Sequence, residues 1–164
     1  YYNARGASIG TLNAPLDALF LRRPARPDRP VTVGIGDGGN EIGMGARRAR
    51  VARDVPHGAT IGSVVSADHL IVAGTSNWGA WGLTAHLALA TGQDLLHTPD
   101  EEARLTRAMI AAGAVDGLTG AATPSVDSLP VAFHQMLLGT LRELVDHLMT
   151  RPGRATRPTG KETS

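Results

Sequence analysis

A short β-branched run, residues 31–35, passes without a break into Gly36-Asp37-Gly38-Gly39-Asn40-Glu41-Ile42-Gly43-Met44-Gly45. A segment this rich in glycine cannot sit inside a regular element, so it must be the turn that leaves a strand. An alanine- and arginine-rich stretch, residues 46–55, then reads as a helix ending at Pro56. The pattern returns further on. Residues 67–74 read as a second strand, followed by Thr75-Ser76-Asn77-Trp78-Gly79-Ala80-Trp81-Gly82 and an alanine- and leucine-rich helix to about Thr91. Strand, small-residue loop and helix in that order, twice, predict an α/β fold. The expected architecture is a mainly parallel sheet flanked by helices, with a ligand crevice at the carboxyl ends of its strands.

The remaining segments fill in around this unit. Residues 15–21 suit a short helix, and residues 59–65 suit another strand. Residues 22–30 carry three prolines at three-residue spacing, which fits an exposed connector or a basic docking loop. Thr98-Pro99-Asp100-Glu101 is a helix start: Thr98 caps, Pro99 fits the first turn and Glu101 completes a capping box. Leu105, Met109 and Ala112 are its expected buried stripe, and Gly113 its stop. Residues 115–117 read as a short strand or turn. Ser128 is expected to cap a last helix with Pro130 in its first turn. On that helix Phe133, Leu137, Leu141, Leu144 and Leu148 form the expected core stripe or partner interface. Residues 1–149 are thus expected to be one α/β domain, and 150–164 a disordered tail.

Composition excludes several functions. Sixteen Lys plus Arg against fifteen Asp plus Glu, with 4% aromatics, give no case for nucleic-acid binding. Cysteine is absent, which removes thiolate metal sites and cysteine nucleophiles. Lys161, near the end of the chain, is the sole lysine, so a lysine Schiff base or P-loop lysine within a folded core is unavailable. No apolar run reaches about 18 residues, so no membrane span is expected. The six histidines show no H-x-x-x-H or H-x-x-E-H spacing, and no G-x-S-x-G elbow occurs. His69 and His134 are the two histidines worth following.

Gly34 to Gly39 matches G-x-G-x-x-G in form. Asp37 inside the loop and Glu41 one turn later are poor company for a pyrophosphate, and arginines crowd the position of the usual ribose acid. Asp37, Asn40 and Glu41 suit something positive instead: a hard cation such as Mg²⁺ or Mn²⁺, or a substrate ammonium. Gly36, Gly38 and Gly39 let backbone approach that ligand. The same residues also suit a local role, with Asp37 in an Asx-turn, Asn40 as a helix cap and Glu41 as a capping acid. Ser76 and Asn77 end the second strand and are expected to face the same crevice, with a helix cap as the alternative for Asn77. Trp78 and Trp81 are expected to pack rather than recognise.

The twelve residues Gly34-Ile-Gly-Asp-Gly-Gly-Asn-Glu-Ile-Gly-Met-Gly45, preceded by Tyr2-Asn3 and Arg5-Gly6 and followed by Ser76-Asn77-Trp78-Gly79, resemble the D-glutamate cyclase family, in its C-terminal cyclase-like domain. Asp116-Gly117 and Ser125-Val126-Asp127 fit the same pattern. Ser128 stands where the family usually has Gly, and Ala4 where it usually has Met. The resemblance covers roughly residues 1–149 and begins partway into the family domain. It therefore implies a chain completed by a preceding segment or by a homo-oligomer.

The activity implied is the dehydration of D-glutamate to 5-oxo-D-proline. The α-amine must lose its proton and attack a carboxylate, which is a poor electrophile. A divalent metal, Mg²⁺ or Mn²⁺, neutralises the carboxylate, and a carboxylate base handles the proton. The resemblance implies Asp37 and Glu41 as catalytic groups, with Asp37, Asn40, Glu41 and Asp127 as metal ligands. Asn3, Ser76 and Asn77 join the loop glycines in binding substrate, and Arg5 pairs with the α-carboxylate. The partner is an acidic amino acid, and the expected location is the cytoplasm. The alternative functions are a non-catalytic module that binds an amino acid or an anion, and a truncated family member with a structural role.

Overall fold

A computed structural model describes residues 1–21 and 29–151. The connector expected at residues 22–30 therefore lies largely outside the described residues, as does the tail beyond 151. The chain divides into two compact units, Tyr1–Ala80 and Trp81–Ser164.

In the first unit, the N-terminal residues fold back on themselves. Tyr2 bridges Ser8, and a 3-10 turn at Gly10–Leu12 leads to the short helix α1, Ala18–Leu21. Strand β1, Val33–Gly36, pairs in parallel with β2, His69–Val72, in the register Val33↔His69 to Gly36↔Val72. Asp68 fixes the start of both strands. It accepts from the backbone N–H and the hydroxyl of Thr32, and receives the Arg29 guanidinium through two 2.7 Å bonds. Two parallel strands need a crossover, and here it contains α2, Arg48–Asp54, and α3, Gly58–Ile61. Met44, Val51, Ile61 and Val65 form the buried core of this unit.

The α/β class holds, with a parallel sheet of two strands. The strand expected over residues 59–65 is not formed. Its first part is α3, whose N–H groups at Thr60 and Ile61 bond back to His57. The loop expected over residues 75–82 is shorter than its composition suggests, because α4 already begins at Ser76 and runs to Thr91. Gly79 allows that early start. A Cβ there would stand 2.7 Å from the Ile35 side chain, so only glycine lets the first turn lie this close to β1.

In the second unit, α5 spans Pro99–Ala111 and α6 spans Val131–Thr150. The hairpin of β3, Ser125–Val126, and β4, Leu129–Pro130, precedes α6. The capping box of α5 is formed as expected: Thr98 Oγ1 accepts from Glu101 N, and Glu101 Oε2 accepts from Thr98 N. The expected stripes are displaced. On α5, Leu105 and Met109 are exposed, and Glu102, Ala103 and Thr106 are buried. On α6, Val131, His134, Leu138 and Val145 are buried, whereas Phe133 and Leu144 are exposed. Ser128 caps nothing. Pro130 holds the N-cap position, and Ser128 sits in the hairpin turn at φ 68°. Among the described residues no helix is long and apolar enough to cross a membrane.

Candidate functional site

The loop leaving β1 is built around a single carboxylate. Glu41 turns back over its own loop and accepts from Gly38 N at 2.8 Å and Asp37 N at 3.3 Å through Oε1, and from Gly39 N at 2.8 Å through Oε2. Consecutive backbone N–H groups converging in this way form a nest for an anion, and the chain supplies the anion itself. The glycines follow from that placement. A Cβ on Gly36 would come within 2.9 Å of Glu41 Oε2, and one on Gly38 within 3.3 Å of Oε1. Gly39 has φ 105° and lies against Val51, where a side chain would meet both strain and a clash.

Asp37 points elsewhere. Its Oδ2 accepts from the backbone N–H of Ser76 at 2.7 Å and from the Ser76 hydroxyl at 2.5 Å. The β1 loop and the N-terminus of α4 are therefore joined by one carboxylate, which also meets the positive end of the α4 dipole. Beside this link, Thr75 Oγ1 is buried and has no hydrogen-bond partner among the described residues. Sequence reasoning missed Thr75, because nothing in a lone threonine after a strand signals an unsatisfied hydroxyl.

Asn40 ties the loop to the N-terminal segment, donating from Nδ2 to the Tyr2 carbonyl at 2.8 Å. Asn3 organises the turn there: its Oδ1 accepts from the N–H groups of Arg5 and Ala7, each at 3.0 Å. Asn77 lies in the first turn of α4, not in a loop. The first unit thus joins the Gly36–Glu41 loop to Ser76 through Asp37 and to Tyr2 through Asn40, with Asn3 and Arg5 in the turn that follows Tyr2. Asp127 lies in the second unit, in the β3–β4 turn at φ 51°.

That turn hangs on Asp116, which is 3% exposed. Its Oδ1 accepts from Leu118 N and Thr119 N, and its Oδ2 from the Ser125 hydroxyl at 2.6 Å and Ser128 N at 2.9 Å. The Ser125 hydroxyl, aided by these amides, holds the Asp116 carboxyl well below the usual carboxylate range. Nearby, His134 is fully buried and meets Trp81 edge to face at 6.1 Å, so both residues pack. His69 is exposed at the start of β2.

A divalent ion does not fit the carboxylates as arranged. Both Glu41 oxygens and one Asp37 oxygen already face N–H or O–H donors. Among the described residues no three His, Cys, Asp or Glu side chains converge on a common point.

A pocket of about 280 Å³ opens in the first unit. Its walls include Tyr1, Tyr2, Asp17, Asn40 and Arg48 over a floor of Ile42, Ile61 and Val65. Asp37 and Ser76 are not among them. Sequence reading passed over Asp17 and Arg48, which look like ordinary helix-surface charges until the fold sets them around one cavity.

Residues 1–142 match the family model described as D-glutamate cyclase-like, C-terminal. The chain belongs to this family. The D-glutamate cyclase-like match contains the β1 loop, Ser76 and the pocket residues. The human protein named "D-glutamate cyclase, mitochondrial" is 46% identical over 87 residues, which cover 53% of this chain and 14% of that protein. The chain therefore spans about one seventh of that relative's length.

Proposed function

We propose that this chain carries part or all of the site of a lyase that dehydrates D-glutamate to 5-oxo-D-proline. The observation that supports this most is the division of labour in the β1 loop. Glu41 has both oxygens committed to loop amides, whereas Asp37 keeps Oδ1 uncommitted and shares Oδ2 with a hydroxyl. Of the two expected catalytic carboxylates, Asp37 is therefore the proton carrier and Glu41 the brace.

The chemistry asks for two proton movements. The ammonium of D-glutamate gives up two protons in all as the nitrogen bonds to the γ-carboxyl carbon. One carboxyl oxygen leaves with them as water, so the net charge of the organic species is unchanged. In this proposal Asp37 Oδ1 carries the two protons one after the other from the nitrogen to the departing oxygen, and ends as it began, ionised. Ser76 holds the carboxylate in place through Oδ2. The Gly38 and Gly39 amides keep the loop closed on Glu41, which presents Asp37 at its outer edge. A divalent ion, Mg²⁺ or Mn²⁺, stays part of the proposal for the complete site, where it would neutralise the γ-carboxylate. Its ligands would have to include donors other than this carboxylate pair as arranged, so no step is routed through it. Arg5 as partner of the α-carboxylate, Asp127 as a further ligand and the cytoplasm as location are likewise proposals. So is completion of the site by a preceding segment or a second copy.

The second reading, a binding module without turnover, draws on one observation: Asp37 also serves as an acidic cap for α4. Chiral detection of 5-oxoproline after incubation with D- or L-glutamate, with and without chelator, separates the two. D-specific product supports the lyase; bound amino acid with no product from this chain, or from a longer protein containing it, supports the module. Loss of product with chelator supports a divalent ion held by donors outside this carboxylate pair.

A further inference from the structure

We infer that the pocket beside Asn40 is a second subsite for a free amino acid, separate from the Asp37 centre, with Arg48 receiving its carboxylate and Asp17 its ammonium. This rests on the cyclase reading for the identity of the amino acid, but the recognition is argued from the pocket alone. Its volume, about 280 Å³, lies at the small end of ligand pockets and suits a metabolite of amino-acid size. Its walls carry one charged side chain of each sign, Arg48 and Asp17, which form no ion pair with each other.

Each charge is held in place and each keeps capacity to spare. Arg48 Nη1 donates to the Gly62 carbonyl, which fixes the guanidinium and leaves its other N–H groups for a carboxylate. Asp17 Oδ1 accepts from the Tyr1 hydroxyl at 2.5 Å, and that hydroxyl accepts in turn from Asp17 N at 3.2 Å. Oδ2 stays open to an ammonium. Opposite charges at fixed positions over an apolar floor of Ile42 and Ile61 are complementary to a dipolar ion and poorly matched to a simple anion or cation. Asn40 belongs both to this wall and to the loop that carries Asp37, whose own side chain does not line the pocket.

The test is calorimetric titration of the full chain with D-glutamate and with glutarate, which keeps both carboxylates and lacks the ammonium. Wild type is expected to bind D-glutamate. Asp17→Asn is expected to lose at least about tenfold in D-glutamate affinity, the scale of one charged hydrogen bond, while binding glutarate no worse than wild type. This variant keeps the acceptor for Tyr1, so it keeps the fold. Arg48→Gln is expected to weaken both ligands. The proposal is overturned if wild type binds no D-glutamate, if Asp17→Asn leaves D-glutamate affinity unchanged, or if it weakens glutarate equally. Failure of the cyclase reading looks different: D-glutamate bound with these charge effects, and no 5-oxoproline formed.

Discussion

Asp37 and Glu41 stand one helical turn apart in sequence and serve opposite ends of one loop. Glu41 is consumed by the amides of Gly38 and Gly39, whereas Asp37 reaches across to Ser76. Their shared carboxylate chemistry hid this difference, because spacing alone cannot say which of the two folds inward. Ser128 carries a more local consequence. The two-residue turn Asp127–Ser128 has positive φ at both positions, as a type I′ hairpin turn does, and glycine or asparagine is favoured there. Ser128→Gly is expected to raise stability by about 1 kcal/mol, read by denaturant unfolding. Asp116 sets a pH dependence. Its folded carboxyl titrates below its unfolded one, so its stabilisation is fully present above about pH 4 and is lost as pH falls further toward the folded value. Asp116→Asn, which turns an acceptor into a donor facing amides, should cost roughly 2–3 kcal/mol and flatten the acid limb of the stability curve.

The helices show what a sequence can and cannot announce. The capping box of α5 is a contact between residues three apart, so Thr98 and Glu101 declare it without help from the fold. Thr98→Ala is expected to destabilise the chain by about 1 kcal/mol in the same unfolding measurement. The strand–loop–helix order of the first unit was equally legible, since glycine content and β-branching are local signals. Burial on α6 was not. Two apolar rows wind around that helix, one through Phe133, Leu137 and Leu144, the other through Val131, Leu138 and Val145. Periodicity fits both. The second row is buried although it contains His134, which finds Trp81 and the Val126 carbonyl as partners. Residues 59–65 misled for a related reason. Their β-branched content favours a strand, but the backbone N–H groups of Thr60 and Ile61 find His57 and close a helical turn. The candidate site was legible where a motif is continuous, in Asp37 to Glu41. It was hidden where it depends on meetings across the chain, such as Asp17 with Tyr1 and Asp37 with Ser76.

At the scale of the molecule, family membership spans residues 1–142, and the described structure gives the first unit both a braced acidic loop and a charged pocket. In the proposed lyase, Asp37 moves the protons while Glu41 holds the loop. Rates of 5-oxoproline formation from D-glutamate, measured beside thermal melting for wild type, Asp37→Asn and Glu41→Gln, test it most directly. They are to be taken on this chain and on a longer protein containing it. Asp37→Asn keeps an acceptor for Ser76 and is expected to melt within a few degrees of wild type, with kcat lower by at least about 10²-fold, the usual contribution of a general base. Glu41→Gln is expected to lower the melting temperature, with kcat falling in step with the loss of folded loop. A folded Asp37→Asn protein that turns over D-glutamate at the wild-type rate would contradict the account.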